Sequence, residues 1–172
     1  MIAFKQYVNE WKYSSDKEVK DRFTEFPKNR TDFLKILSKR LKENIEYPYL
    51  LDIDTSKITD MSHLFSGYLL DHKHNNIDVS QIKHIDVSTW NTQNVTSFEF
   101  MFGLCTNVKW IDISGFTYNS ALKLTYMFYE CKNLETIVGI EKIKHNNVKT
   151  SLMFNACDKL KSIPSWYSDE TV

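Results

Sequence analysis

The chain has 172 residues, with 22 Lys and Arg balanced by 22 Asp and Glu, 42% hydrophobic and 14% aromatic. A chain of this length buries roughly 70% of its unfolded surface, enough for one domain with a real core, and so high an aromatic content at zero net charge excludes intrinsic disorder. The same balance argues against a nucleic-acid partner, which is held by clustered Lys and Arg, and no apolar run reaches the roughly 20 residues of a membrane-spanning helix.

Met1 to Glu10 lacks the apolar stretch and small-residue cleavage site of a secretion signal. The expected location is therefore the cytoplasm as given, or the cell surface if an unseen export route exists. Within residues 1–27, Phe4, Tyr7, Val8 and Trp11 recur at the spacing of one helical face. Ser15 to Glu18 then has the pattern of a capping box, with Val19 and Phe23 on one face behind it and Pro27 as the stop. A third helix opens at Thr31-Asp32 and continues through Phe33, Leu34, Leu37, Leu41 and Ile45. Lys35, Lys39, Arg40 and Lys42 lie largely off that stripe, which reads as a solvated basic face.

From Ile58 onward the chain is self-similar. Met101-Phe102-Gly103-Leu104-Cys105, Met127-Phe128-Tyr129-Glu130-Cys131 and Met153-Phe154-Asn155-Ala156-Cys157 follow one another at intervals of 26 residues. Behind each Cys come apolar residues at +3 and +6: Val108 and Ile111, Leu134 and Ile137, Leu160 and Ile163. An earlier copy runs from Ile58 through Met61, Leu64 and Phe65, with Tyr68 where a Cys would fall. Its downstream half, Ile82, Ile85 and Val87, matches only if Leu69 to Val79 is an insertion of 11 residues.

A period of 26 lies within the range of leucine-rich repeats. The expected fold is α+β: a helical N-terminal cap over residues 1–57, then a short leucine-rich-repeat-like solenoid of about four coils over 58–172, each coil one short strand plus a helical turn. Alternation in Ile85-Asp86-Val87 and Ile111-Asp112-Ile113 predicts half-buried strands, and Thr59 or Thr96 would cap the helical turns. Met, Phe and Cys should form ladders through the interior.

The runs Ile58-Thr-Asp-Met-Ser-His-Leu-Phe65, Ile85-Asp-Val-Ser-Thr-Trp90-Asn-Thr-Gln-Asn-Val95-Thr96 and Met-Phe-x-x-Cys resemble the BspA-like leucine-rich repeat family, also described from mycoplasma surface lipoproteins. The resemblance covers about residues 28–166, and Tyr68, the insertion and the uneven later units make this a short, degenerate member. It implies a repeat scaffold used for protein binding, often on bacterial surfaces, with no catalytic residues. The opening Met-Ile-Ala-Phe-Lys-Gln-Tyr-Val-Asn-Glu also looks like the starts of many proteins of large tailed phages.

No enzyme signature is legible. The four glycines never cluster as a phosphate-binding loop requires, and no nucleophile sits in a recognisable elbow. No cofactor is expected. Cys105, Cys131 and Cys157 are odd in number and lack Cys-x-x-Cys spacing, so they read as core thiols rather than a zinc site. Asp52-Ile-Asp54-Thr-Ser56 lacks the glycine and glutamate of a calcium loop. No metal site is expected, since His72 and His74 have no further ligand pattern and read as part of a solvated loop.

The remaining candidate is the strand face, where alternation aims His84, Asp86 and Ser88, and then Trp110, Asp112 and Ser114, to one side. Trp110 is either an exposed interface anchor or packed against the insertion or an end helix. The inserted loop with His72 and His74 is the second candidate contact. The expected function is a non-enzymatic module binding a protein partner through His84, Asp86, Trp110, Asp112 and the 69–79 insertion. The alternatives are a phage- or mobile-element-encoded effector that inhibits a host protein, and a bacterial surface adhesin.

Overall fold

A computed structural model describes residues 23–66, 79–118, 123–143 and 148–168. The two helices expected from Phe4 to Val19 lie outside the described residues. From Phe23 to Pro27 the chain is not helical: Glu25 forms a parallel bridge with Ile53, and the amides of Thr24 and Glu25 both donate to Asp52 O.

Helix α1, Arg30–Glu43, is the helix expected from Thr31, but it is capped two residues earlier. Asn29 is the N-cap, its side chain accepting from the Asp32 amide at 3.0 Å. Phe33, Leu37 and Leu41 are buried on one face. Ile45 lies past the helix end, because the chain leaves helical geometry at Asn44. The basic side of α1 is largely paired: Lys35 with Asp32 at 3.8 Å, Lys39 with Glu25 at 3.6 Å, and Arg40 with Asp52 at 2.6 Å. Arg30 anchors the helix start by donating to Asp60 O at 2.6 Å and to Ser62 O.

Three short strands follow: β1 His84–Asp86, β2 Trp110–Asp112 and β3 Thr136–Val138. They form an open parallel sheet in the order β1-β2-β3, with His84, Trp110 and Thr136 in register, then Ile85, Ile111 and Ile137. A second line of parallel bridges links Asp60, Ser97, Lys123 and Lys149. The first step of that line spans 37 residues and the other two span 26, so the inferred 11-residue insertion is absorbed without loss of phase.

The interior is built on this phase. Phe65, Phe102, Phe128 and Phe154 stack ring on ring, with centroids 5.4, 5.4 and 5.6 Å apart and interplanar angles of 13°, 9° and 3°. Trp90 closes the column toward α1: it lies 6.1 Å from Phe65, meets Phe33 edge-on at 5.0 Å, and donates through Nε1 to Leu50 O at 2.9 Å. At the other end Tyr167 meets Phe154 edge-on at 4.9 Å. Each such ring, fully buried, contributes roughly 1.5–3 kcal/mol of transfer free energy. The cysteines are free, and each thiol donates to a backbone carbonyl of the preceding segment: Cys105 to Phe65 O, Cys131 to Phe102 O and Cys157 to Phe128 O. Burial pushes the Cys105 and Cys131 thiols up, which keeps them protonated and unreactive.

These findings correct the expected architecture. Among the described residues there is one α-helix and one open three-stranded parallel sheet, not a leucine-rich-repeat-like solenoid of four coils with a strand and a helical turn in each. Two physical causes are visible. First, the Met-Phe blocks are turns. His63, Phe100, Tyr126 and Leu152 have φ between 53° and 58°, and Leu104, Glu130 and Ala156 have φ between 54° and 64°, so right-handed helical geometry is broken inside every block. The amides of Phe98, Phe100, Phe102 and Leu104 donate outward to the carbonyls of Lys123, Thr125, Met127 and Tyr129, leaving no helical i−4 bonding to propagate. Second, the last segment supplies no strand. Ile163, at the position of the buried Ile111 and Ile137, is 53% exposed.

Two glycines are required by the close packing of successive segments: a Cβ on Gly115 would come within 1.8 Å of Ser88 O. Gly139 has φ of 90°, and a Cβ there would come within 2.5 Å of Ser114 Cα.

Candidate functional site

The residues that open the strands line one surface. His84 begins β1 and Trp110 begins β2, and their ring centroids are 6.2 Å apart at 40°. Both are half-buried. Tyr47, from the segment after α1, stacks on the other side of His84 at 5.1 Å and 27° and is 43% exposed. The result is a row of three rings, Tyr47, His84 and Trp110, running from the loop after the helix onto the sheet.

That loop is held by its own bonds. Asn44 Oδ1 accepts from the Tyr47 amide at 3.1 Å, Glu46 O accepts from the amides of Lys83 and His84, and the Glu46 carboxylate takes the Lys83 ammonium at 2.7 Å. The hydrogen bond to Glu46 raises the Lys83 pKa. The His84 imidazole titrates below the usual histidine range, first because it is partly buried and then because Lys109 and Lys83 lie near. Near neutral pH it is therefore an uncharged ring suited to stacking.

The two aspartates of the face do something else. Asp86 is half-buried, and its Oδ1 accepts from the Ser88 amide at 3.1 Å and the Ser88 hydroxyl at 2.7 Å. Asp112 is 2% exposed and accepts from the Ser114 amide at 2.8 Å. The expectation that alternation aims Asp112 at solvent is thus corrected. The carboxylates fold back to start the turns after the strands, as short acidic side chains do when a nearby amide lacks a partner. His72 and His74 lie outside the described residues.

The structure brings together His84 and Trp110, and it adds Tyr47, Glu46 and Lys83, which sequence reasoning missed. No periodicity marks Tyr47, since it lies between the helical stripe and the repeating region. The one local signal is Asn44, three residues earlier, which is the C-cap of the helix and whose side chain accepts from the Tyr47 amide. Among the described residues no group of three or more His, Cys, Asp and Glu side chains is placed to hold a metal ion. No helix among them is long and apolar enough to cross a membrane.

The family described as Mycoplasma protein of unknown function, DUF285, has a model that matches residues 37–167. That span includes the second half of α1, the three strands and the whole aromatic row. No curated protein matches the chain, and no solved structure matches it.

Proposed function

The chain belongs to the DUF285 family, and from that premise we propose that it is a non-enzymatic protein-binding module acting through the face that carries Tyr47, His84 and Trp110, with the 69–79 insertion contributing contacts. The observation that carries this reading is the row of three half-exposed rings. Aromatic side chains flanked by charged groups are the usual anchors of protein interfaces, because they bury large area at low rotamer entropy. Here the charged rim is Glu46, Lys83 and Lys109. The likeness of the Met-Phe-x-x-Cys runs to BspA-like proteins, which implies protein binding, supports the same reading.

The test is affinity capture with the full chain against its Trp110→Ala variant, read by quantitative mass spectrometry. A stoichiometric partner held by the parent and lost by the variant, with both giving the same melting temperature, is the expected result. Partners captured equally by both would rule out this face. Turnover of a small substrate that a point mutation abolishes would rule out a binding role.

A further inference from the structure

A second aromatic surface lies on the turns rather than on the strands. His63, Phe100, Tyr126 and Leu152 occupy one repeated position, and all four are left-handed, with φ of 57°, 56°, 58° and 53°. Glycine or asparagine takes that conformation most readily, and bulky side chains do so rarely. These side chains do not fill the interior, for all four are half-buried at the surface. A costly backbone kept for side chains that face outward points to what those side chains meet.

The rings form a connected patch. Phe100 lies 6.1 Å from Tyr126 at 59° and 5.8 Å from Tyr129 at 33°, and Tyr126 meets Tyr129 edge-on at 5.4 Å and 88°. Phe100 is laid against the backbone of Gly103, where a Cβ would come within 2.5 Å of its ring. The neighbouring Glu130 carboxylate raises the Tyr129 pKa. The faces of Phe and Tyr rings attract cations. Glu130 is itself left-handed, with φ of 54°, and an ammonium already sits beside it, that of Lys132 at 3.5 Å.

We propose that the Phe100, Tyr126 and Tyr129 patch, edged by the Glu130 carboxylate, is a docking surface for a Lys- or Arg-bearing segment of a protein partner. The incoming cation lies over the ring faces and takes the carboxylate in place of Lys132. The surface is separate from the strand face, so neither reading depends on the other.

The experiment is fluorescence anisotropy of short labelled peptides titrated with the full chain: one alternating Lys and Arg with Gly and Ser, one with Glu in place of the basic residues, and one uncharged. The basic peptide is expected to bind best. Phe100→Gly, which removes the ring and relieves the left-handed backbone, and Glu130→Gln, which keeps the side-chain shape, should each weaken binding by about tenfold. Lys132→Ala should tighten it, and Trp110→Ala should leave it unchanged. Thermal melts confirm that each variant is folded, and Glu130→Gln carries the test if Phe100→Gly is not. Equal affinity for the three peptides, no binding of the basic one, or basic-peptide affinity indifferent to Glu130→Gln and Lys132→Ala would overturn the proposal.

Discussion

Phe102 and Phe100 are two residues apart and recur with the same period, yet one belongs to a buried column and the other to a surface row. Phe102 is fully buried and stacked between Phe65 and Phe128. Phe100 is half-exposed, left-handed, and in tilted contact with His63 and the two tyrosines. The period alone does not tell them apart. What separates them is the turn geometry, which aims residues 98, 101, 102 and 105 inward and turns residue 100 out. The same spacing thus yields a stabilising element on one side of the chain and a candidate interface on the other.

The strongest test of that contrast is Phe128→Ala. Its ring has stacked neighbours on both faces, so truncation opens a cavity between segments and should cost roughly 3–5 kcal/mol, read by chemical denaturation. A denaturation midpoint equal to the parent's would mean the column is not what holds the segments together.

Gly103→Ala should cost roughly 1–3 kcal/mol, since the new Cβ collides with the Phe100 ring and either ring or backbone must shift. A double-mutant cycle sharpens this. In Gly103→Ala with Phe100→Gly the collision is absent, so most of the loss should be recovered, and strict additivity would place the strain elsewhere.

Phe100→Gly alone should change stability by no more than about 1 kcal/mol, because relief of the left-handed backbone offsets the lost ring contacts. A loss as large as that of Phe128→Ala would make the surface row a structural element after all.

The smallest effect expected is the pH dependence contributed by His84. Its pKa in the folded protein lies below its unfolded value near 6.5, so the unfolded state takes up the proton more readily. His84 therefore has no effect well above pH 6.5, and stability falls as pH drops from that value through the lower folded pKa. Comparing denaturation midpoints at neutral and mildly acid pH, the parent should lose more than His84→Gln does. An identical pH dependence in the two would show that partial burial and the nearby lysines do not govern this ring.

Much of the framework was legible beforehand. The stripe from Phe33 to Leu41 marks α1, and the 26-residue interval picks out the rings of the column. Even the insertion length was readable, because a scaffold held in phase tolerates extra residues only as an excursion, and Phe65 still meets Phe102 across 37 residues. The candidate surfaces were only half legible. Trp110 and His84 stood out by their place at the strand starts, whereas Tyr47 reaches the same surface from outside the periodic region.

By itself the sequence determined which side chains are apolar at a constant interval, and burial of that repeated set leaves little choice about what fills the interior. Tertiary structure alone decided whether the Met-Phe blocks are helices or turns, whether Asp112 meets water, and where Tyr47 comes to rest. The reason is a competition that no local pattern records. The amides of Phe100 and Phe102 bond to carbonyls of Thr125 and Met127, 25 residues further along the chain, and those partners exist only once the segments are side by side.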